Sequence, residues 1–268
     1  MAGRVEGKVA IVFGGGQLPG QTIGNGKATS IVLAREGAKV TVVDRELDRA
    51  RETVDEITKA GGSAVAAQCD ITDEATVASL IDSVLAREGR IDILHNNVGA
   101  SLALGDTNLL DLTTEAYERS FKVNLEGMWL CCKHALPALR ESQGSIVNIS
   151  SIAAIEPNPN LGYKTMKAAV IALTESLAIY NAEYGVRANV ILPGLMDTPM
   201  AIENRIGVNG MTREQVVEMR NKRVPLGRKM GTAWDVANAA LFLHSDEASF
   251  ISGASLRVDG AMSVSWAH

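Results

Sequence analysis

Short runs of β-branched and apolar residues recur along the chain, each followed by a stretch with helical spacing. The runs are 8–13 (KVAIVF), 39–43 (KVTVV), 91–94 (IDIL), 145–149 (SIVNI) and 186–192 (VRANVIL). None alternates cleanly between apolar and polar, so each suits a strand covered on both faces rather than one with a wet side. Between them, 26–36, 45–60, 73–88, 115–142 and 163–184 carry helix-forming composition. Glu36-Gly37, Gly61-Gly62, Glu88-Gly89 and Tyr184-Gly185 stand where a helix would end on a left-handed residue. This alternation predicts an α/β fold, a doubly wound parallel β-sheet with helices on both faces. No linker, internal repeat or low-complexity tract interrupts residues 1–268, so a single domain is expected.

Composition refines this mainly by exclusion. Thirty-one acidic residues against 26 basic ones give a formal charge of −5, and neither sign forms long blocks. Nucleic acid and anionic membrane, which reward a clustered basic footprint, are therefore not expected as partners. The odd number of cysteines, Cys69, Cys131 and Cys132, and the lack of CxxC spacing argue against a disulfide framework or a metal site. A reducing, cytoplasmic compartment is expected. The N-terminal stretch through Arg4, Glu6 and Lys8 lacks the form of a secretion signal. No uncharged apolar run approaches the roughly 20 residues of a membrane span.

The first candidate chemistry follows the first strand, in GGGQLPGQTIGNGKA. Gly14 opens the loop, and Gly20, Gly24 and Gly26 stand in GxxxGxG spacing ahead of a helix. Glycines there let the backbone approach a pyrophosphate, whose charge rests on free N–H groups at the helix N-terminus. Asp44 ends the second strand, 18 residues beyond Gly26. A carboxylate so placed accepts both adenosine-ribose hydroxyls and repels a 2′-phosphate, which favours NAD over NADP. Arg45 next to it either pairs with a 2′-phosphate or makes an ordinary turn-region salt bridge.

The second is Tyr163 with Lys167, i, i+4 on one helix face. A tyrosine works as general acid or base, but its ordinary pKa near 10 is about three units too high for neutral pH. A lysine ammonium and a cationic nicotinamide ring beside it would supply the roughly 4 kcal/mol needed to favour the phenolate.

In chain order stand the glycine loop, CDITD at 69–73, NNVG at 96–99, KVNLEG at 122–127, NISS at 148–151, YKTMK at 163–167, LPGLMDTPM at 192–200 and DVANAALFLHSDEASFISGASLRVDG near the end. By these motifs the chain resembles the short-chain dehydrogenase/reductase family over nearly its whole length, in the short, non-extended subfamily with an elongated glycine loop. The resemblance implies a Rossmann-type fold and an NAD(H)-dependent oxidoreductase that interconverts a secondary alcohol and a ketone. It implies Tyr163 as proton donor and acceptor, and Lys167 as the residue that binds nicotinamide ribose and lowers the tyrosine pKa. Ser151 would hydrogen-bond the substrate oxygen, and Asn124 would hold a water linked to Lys167. Asp70 and Ile71 would recognise adenine, Asn96 and Gly99 would line the adenosine ribose, and Pro193, Gly194, Leu195 and Thr198 would border the nicotinamide carboxamide and pyrophosphate. An NADPH-dependent 3-oxoacyl-type reductase would carry the same catalytic set, and a non-catalytic nicotinamide-binding regulator is a third reading.

Departures from the family pattern are visible. The glycine loop is about six residues long in excess, and its GGGQLP is expected to bulge while Gly24 and Gly26 keep the phosphate role. Val98 and Ala261 replace an alanine and a glycine of the family and are expected to be packing changes. His95 is expected as a satisfied strand-end histidine, and Cys131 and Cys132 as packing residues. Glu156 is either a substrate contact or a solvated loop charge. The helix 163–184 is apolar nearly all round, which predicts burial on every side and, with 115–142, a homodimer or homotetramer contact. Residues 198–224 are a lid candidate over a small-molecule alcohol or ketone, and the closing SVSWAH a candidate to reach a neighbouring subunit.

Overall fold

The computed structural model describes residues 3–265; the last three residues of the SVSWAH tail lie outside them. The strands are β1 (Val9–Phe13), β2 (Lys39–Asp44), β3 (Ser63–Gln68), β4 (Ile93–Asn96), β5 (Ser145–Ile149), β6 (Arg187–Pro193), β7 (Met196–Asp197), β8 (Gly231–Thr232) and β9 (Ser255–Val258). The helices are α1 (Asn25–Arg35), α2 (Leu47–Lys59), α3 (Glu74–Glu88), α4 (Thr114–Phe121), α5 (Gly127–Ser142), α6 (Leu161–Asn181), α7 (Pro199–Ile202), α8 (Arg213–Arg223) and α9 (Ala233–His244). Seven strands pair in the order β3-β2-β1-β4-β5-β6-β9, all parallel, and β7 pairs with β8.

Two-sided burial explains the unalternating strand sequences. In β1, Val9, Ile11 and Phe13 enter one core with α3 and α5, while Ala10 and Val12 enter the other with α1, α2 and α9. The sheet is thus the middle of three layers. Within the seven-stranded sheet, the two strands that the apolar runs do not announce, β3 and β9, are the edges. Their sequences SAVAAQ and SLRV keep several residues exposed or half-exposed, so neither reads as a buried run.

The direction of strand addition reverses between β1 and β4, and in such sheets ligands bind beyond the carboxyl ends of the strands at the reversal. The predicted helix 115–142 is continuous but not uniform. A π turn over Lys122–Glu126 joins α4 to α5 and carries Asn124, a placement typical of functional sites. Helix α6 buries Met166, Lys167, Val170, Thr174 and Ala178 but leaves Ile179 70% and Tyr180 74% exposed, so within one chain it is covered on one side only. No helix among the described residues is long and apolar enough to cross a membrane.

Candidate active site

The glycine loop divides its work differently from the expectation. Gly14 has φ +75° and donates its N–H to Val43 O at 2.8 Å; Gly15 does the same at 2.9 Å. Both Gly15 and Gly16 are buried, and a Cβ on Gly16 would lie 2.7 Å from the Asp44 carboxylate. GGG therefore does not bulge: it is packed against β2 and α2, with Thr53 donating to Gly15 O at 3.0 Å. The chain leaves the cleft only after Gly16. Gly20 stands not at the phosphate position but against α7, where a Cβ would meet Pro199 at 2.9 Å. Gly26 has no room for a side chain, since its Cβ would come 1.9 Å from Gly14 O. Gly24 is the N-cap of α1, its N–H held by Gln17 Oε1 at 2.9 Å.

These features fit a dinucleotide. Helix α1 has no side-chain cap and no acidic residue in its first turn, and Asn25 Oδ1 is buried without a hydrogen-bond partner among the described residues. An N-terminus left in that state is matched to a diphosphate. At the end of β2, Asp44 accepts from Glu46 N–H at 3.0 Å, while Arg45 turns to Glu46 at 3.6 Å and is 70% exposed. Asp70 accepts from the Thr72 N–H and hydroxyl at 3.0 and 2.8 Å, and Ile71 packs against the start of α5 at Gly127.

Past β4, the structure corrects two expected contacts. Asn96 is buried behind the sheet, donating to Asn148 Oδ1 at 2.9 Å, so its side chain does not line the ribose. Its neighbour Asn97 faces the cleft loop and donates to Gly14 O at 3.0 Å, because successive side chains at a strand end point to opposite sides. Gly99 abuts Lys167 rather than the adenosine end: a Cβ there would lie 2.8 Å from Lys167 Nζ and 3.1 Å from Asn124 Oδ1.

Around Tyr163 the predicted set is brought together. Ser150 is buried and donates to Lys167 O at 2.6 Å, whereas Ser151 faces the Tyr163 hydroxyl and draws the phenol pKa down. Lys167 is 1% exposed; it donates to Ile149 O at 2.8 Å, and its Nζ lies 5.6 Å from the Tyr163 ring centre. Burial pushes the amine down to about 8. The expected acidification of Tyr163 by Lys167 is not what this chain shows by itself. Burial raises the phenol, and the opposing influences are Ser151 and the guanidinium of Arg205. The side-chain amide of Asn124 exchanges bonds with Ala100 N–H and O at 2.9 Å each and donates to Ser120 O at 3.1 Å.

Asp106 is a residue the motifs did not reveal. Buried at 4% exposure, it accepts from the N–H groups of Gly162 and Tyr163 at 2.9 and 2.8 Å, capping the helix that carries the tyrosine. Glu156 lies in the loop after β5, where its carbonyl accepts from Lys164 Nζ at 2.6 Å. Pro193 ends β6, and Gly194, Leu195 and Thr198 come after it: Gly194 is wedged against Asp259, where a Cβ would lie 2.7 Å from its Cα, and Thr198 is buried ahead of α7.

The remaining candidates fall outside the cleft. Cys131 and Cys132 are core residues whose thiols burial raises, Cys132 to about 12. His95 is buried with Nδ1 3.4 Å from His244 Nε2, and its own Nε2 has no partner among the described residues, so it is only half satisfied. Ala261 is no simple packing change, since its φ is +67°.

A family model described as enoyl-(acyl carrier protein) reductase matches residues 20–263. The chain belongs to the short-chain dehydrogenase/reductase family. It is 36% identical to a 7α-hydroxysteroid dehydrogenase of Clostridium sardiniense, over 97% of this chain and 95% of that one. Among solved structures, a short-chain dehydrogenase/reductase from Burkholderia xenovorans superposes with TM-score 0.93 at 40% identity, covering 99% of this chain and all of that one. A 7α-hydroxysteroid dehydrogenase complexed with NADH and 7-oxo glycochenodeoxycholic acid superposes with TM-score 0.84 at 34% identity, covering 96% and 94%. The chain is therefore an oxidoreductase of a family that uses a nicotinamide dinucleotide and acts on alcohol or ketone groups.

Proposed function

We propose that the protein is an NAD(H)-dependent dehydrogenase that interconverts a secondary alcohol and a ketone, with Tyr163 as general acid and base. The observation that carries the reading is the convergence of Ser151, Tyr163 and Lys167 beyond the carboxyl end of β5, with Asp44 at the corresponding end of β2. When bound, the nicotinamide ring accepts the hydride from the carbinol carbon or returns it. In the oxidative direction the Tyr163 oxygen takes the hydroxyl proton as the C–O bond becomes C=O; in the reductive direction it gives that proton back. The Ser151 hydroxyl holds the substrate oxygen within reach of the phenol. Lys167, fixed by Ile149 O, presents its ammonium to the nicotinamide ribose and to the phenol.

Burial alone disfavours the phenolate, so the charge that offsets it comes from cations around the closed site. With the Asn124 amide committed to Ala100, any water relayed to Lys167 rests on main-chain groups of the π turn. Asp44 supports NAD over NADP. Arg45, exposed and only loosely paired, favours a second reading as an NADPH-dependent 3-oxoacyl-type reductase.

Replacing Tyr163 with Phe should abolish turnover while cofactor affinity stays within a few fold; retained activity would refute the assignment. Initial rates with each dinucleotide decide the second point, and Asp44→Ala is expected to relax a preference for NAD. The exposed face of α6 with Phe121 and Trp129 is proposed to meet a second copy of the chain, giving a dimer or tetramer. The reducing cytoplasm suits its three free buried thiols.

A further inference from the structure

The lid has a charge balance opposite to that of the protein. Residues 198–224 contain five basic side chains, Arg205, Arg213, Arg220, Lys222 and Arg223, against the acidic Glu203, Glu214 and Glu218, in a chain of formal charge −5. Orientation sharpens the contrast. Glu214 and Glu218 are exposed, and Glu218 pairs with Lys222 at 2.6 Å, whereas Arg205 and Arg213 are half-buried and Arg220 is 6% exposed. Arg213 is met by two carboxylates, Asp197 and Glu203, each at 3.6 Å.

Neither Arg205 nor Arg220 forms an ion pair with a carboxylate among the described residues; the Asp197 charge acts on Arg220 only from a distance and is outweighed there by burial and by Arg205 and Arg223. Arg205 donates Nη1 to Ala201 O at 2.7 Å, and Arg220 donates Nε to the Met230 thioether at 3.3 Å. Burial, then repulsion from Arg205 and Arg223, pushes Arg220 down to about 10. Guanidinium groups taken from water without a counter-charge are costly, and an arriving anion relieves that cost. The placement of Arg205 says where the anion goes. It lies in the turn directly after α7, whose Ile202 shares one apolar cluster with Ile152, next to Ser151, and with Val170 on the helix of Tyr163. This segment therefore lies beside the reacting end of the cleft, and the charges of Arg205 and the Tyr163 oxygen act on each other accordingly.

We propose that Arg205, backed by Arg220, receives a carboxylate of the substrate, so that the alcohol is a hydroxy acid and the ketone its oxo acid. This rests on the reading of Tyr163 as the proton-transfer group. The planar fork of a guanidinium matches a carboxylate with two parallel bonds, and a carboxylate held there would set the carbinol end toward Tyr163. Val216, Val224 and Ile202, packed with Met128, Ile152 and Val170, give the lid an apolar footing that holds the arginines inward.

Thermal melting of the binary complex with NADH reads the site without the natural substrate. Butyrate and benzoate are expected to raise Tm saturably and butyramide not to; Arg205→Gln abolishes the carboxylate response, and Arg205→Lys retains part of it. Tyr163→Phe keeps the response while losing turnover, so failure of the proton-transfer reading and failure of this one are distinguishable. In turnover of short hydroxy acids and their matched amides, the acid-to-amide ratio of kcat/KM should fall about 100-fold in Arg205→Gln. Equal melting responses to acid and amide, or a carboxylate response undiminished in Arg205→Gln, would overturn the proposal. So would a loss of NADH affinity in Arg205→Gln of about tenfold or more with the acid-to-amide ratio unchanged, which would assign the arginine to the cofactor diphosphate.

Discussion

Asp106 is the place where a single side chain holds the proposed catalytic geometry without touching the chemistry. Its two oxygens accept from Gly162 and Tyr163 N–H at 2.9 and 2.8 Å, deep under the loop that follows β4. Replacing it with Ala leaves both donors of the first turn of α6 without a partner. A buried donor so stranded costs about 1–3 kcal/mol, and a helix start loses its favourable charge besides. Water reaches the half-exposed Tyr163 amide more easily than the buried Gly162 amide, so the expected loss is about 3 kcal/mol in total. Asp106→Asn keeps one acceptor and places an NH2 group against the other N–H, for an expected loss of about 2 kcal/mol. Urea unfolding at constant m-value reads the stability. The functional effect is displacement of Tyr163, and a misplacement of about 1 Å lowers kcat by about 100-fold. A kcat within twofold of wild type, with an unchanged unfolding midpoint, would refute the positioning role.

The buried pair His95 and His244 sets an acid limit on stability. Burial lowers His95 to about 3, and burial with its charged neighbours lowers His244 well below its ordinary value. The unfolded chain binds protons near pH 6.5 that the folded chain refuses, so stability is full above that pH and falls below it by about 2.7 kcal/mol per pH unit for two groups. Urea midpoints at pH 8 and pH 5 should show the drop, and His95→Gln should about halve its slope; equal midpoints would disprove it. Ala261→Gly should stabilise by about 1 kcal/mol, since φ of +67° is unfavourable for alanine, and a calorimetric Tm below wild type would contradict this. Charged substitutions at Ile179 and Tyr180 should shift the sedimentation coefficient to that of a monomer, and a wild-type protein already monomeric would remove the proposed contact.

How much of this is legible in sequence follows the physics of each element. Strands β1, β2, β4, β5 and β6 have covered faces and announce themselves by unbroken apolar runs, whereas β3 and β9 are sheet edges with alanine, serine and arginine where a buried strand would have valine or isoleucine. Tyr163 and Lys167 are legible because one helical turn separates them. Asp106 is not, because its partners lie 56 and 57 residues away and only the folded chain joins them. The choice between Asn96 and Asn97 turns on which way a strand end faces, a fact of register that two identical adjacent residues cannot carry. Arg205 looks from sequence like one more solvated charge in a polar segment. Only the fate of its neighbours, with Arg213 neutralised and Glu214 and Glu218 turned outward, makes it distinctive.

The extra residues of the glycine loop have a consequence for anyone engineering this protein. Gly20 rests on Pro199, Thr22 bonds to Asp197 at 3.4 Å, and Gln17 holds Gly24 from the other side. One strap therefore ties the glycine loop, which fits a dinucleotide, to the segment proposed as a lid. Variants selected to admit a bulkier alcohol will also alter the residence time of the coenzyme, so the two Michaelis constants belong to a single mechanical part and have to be measured together.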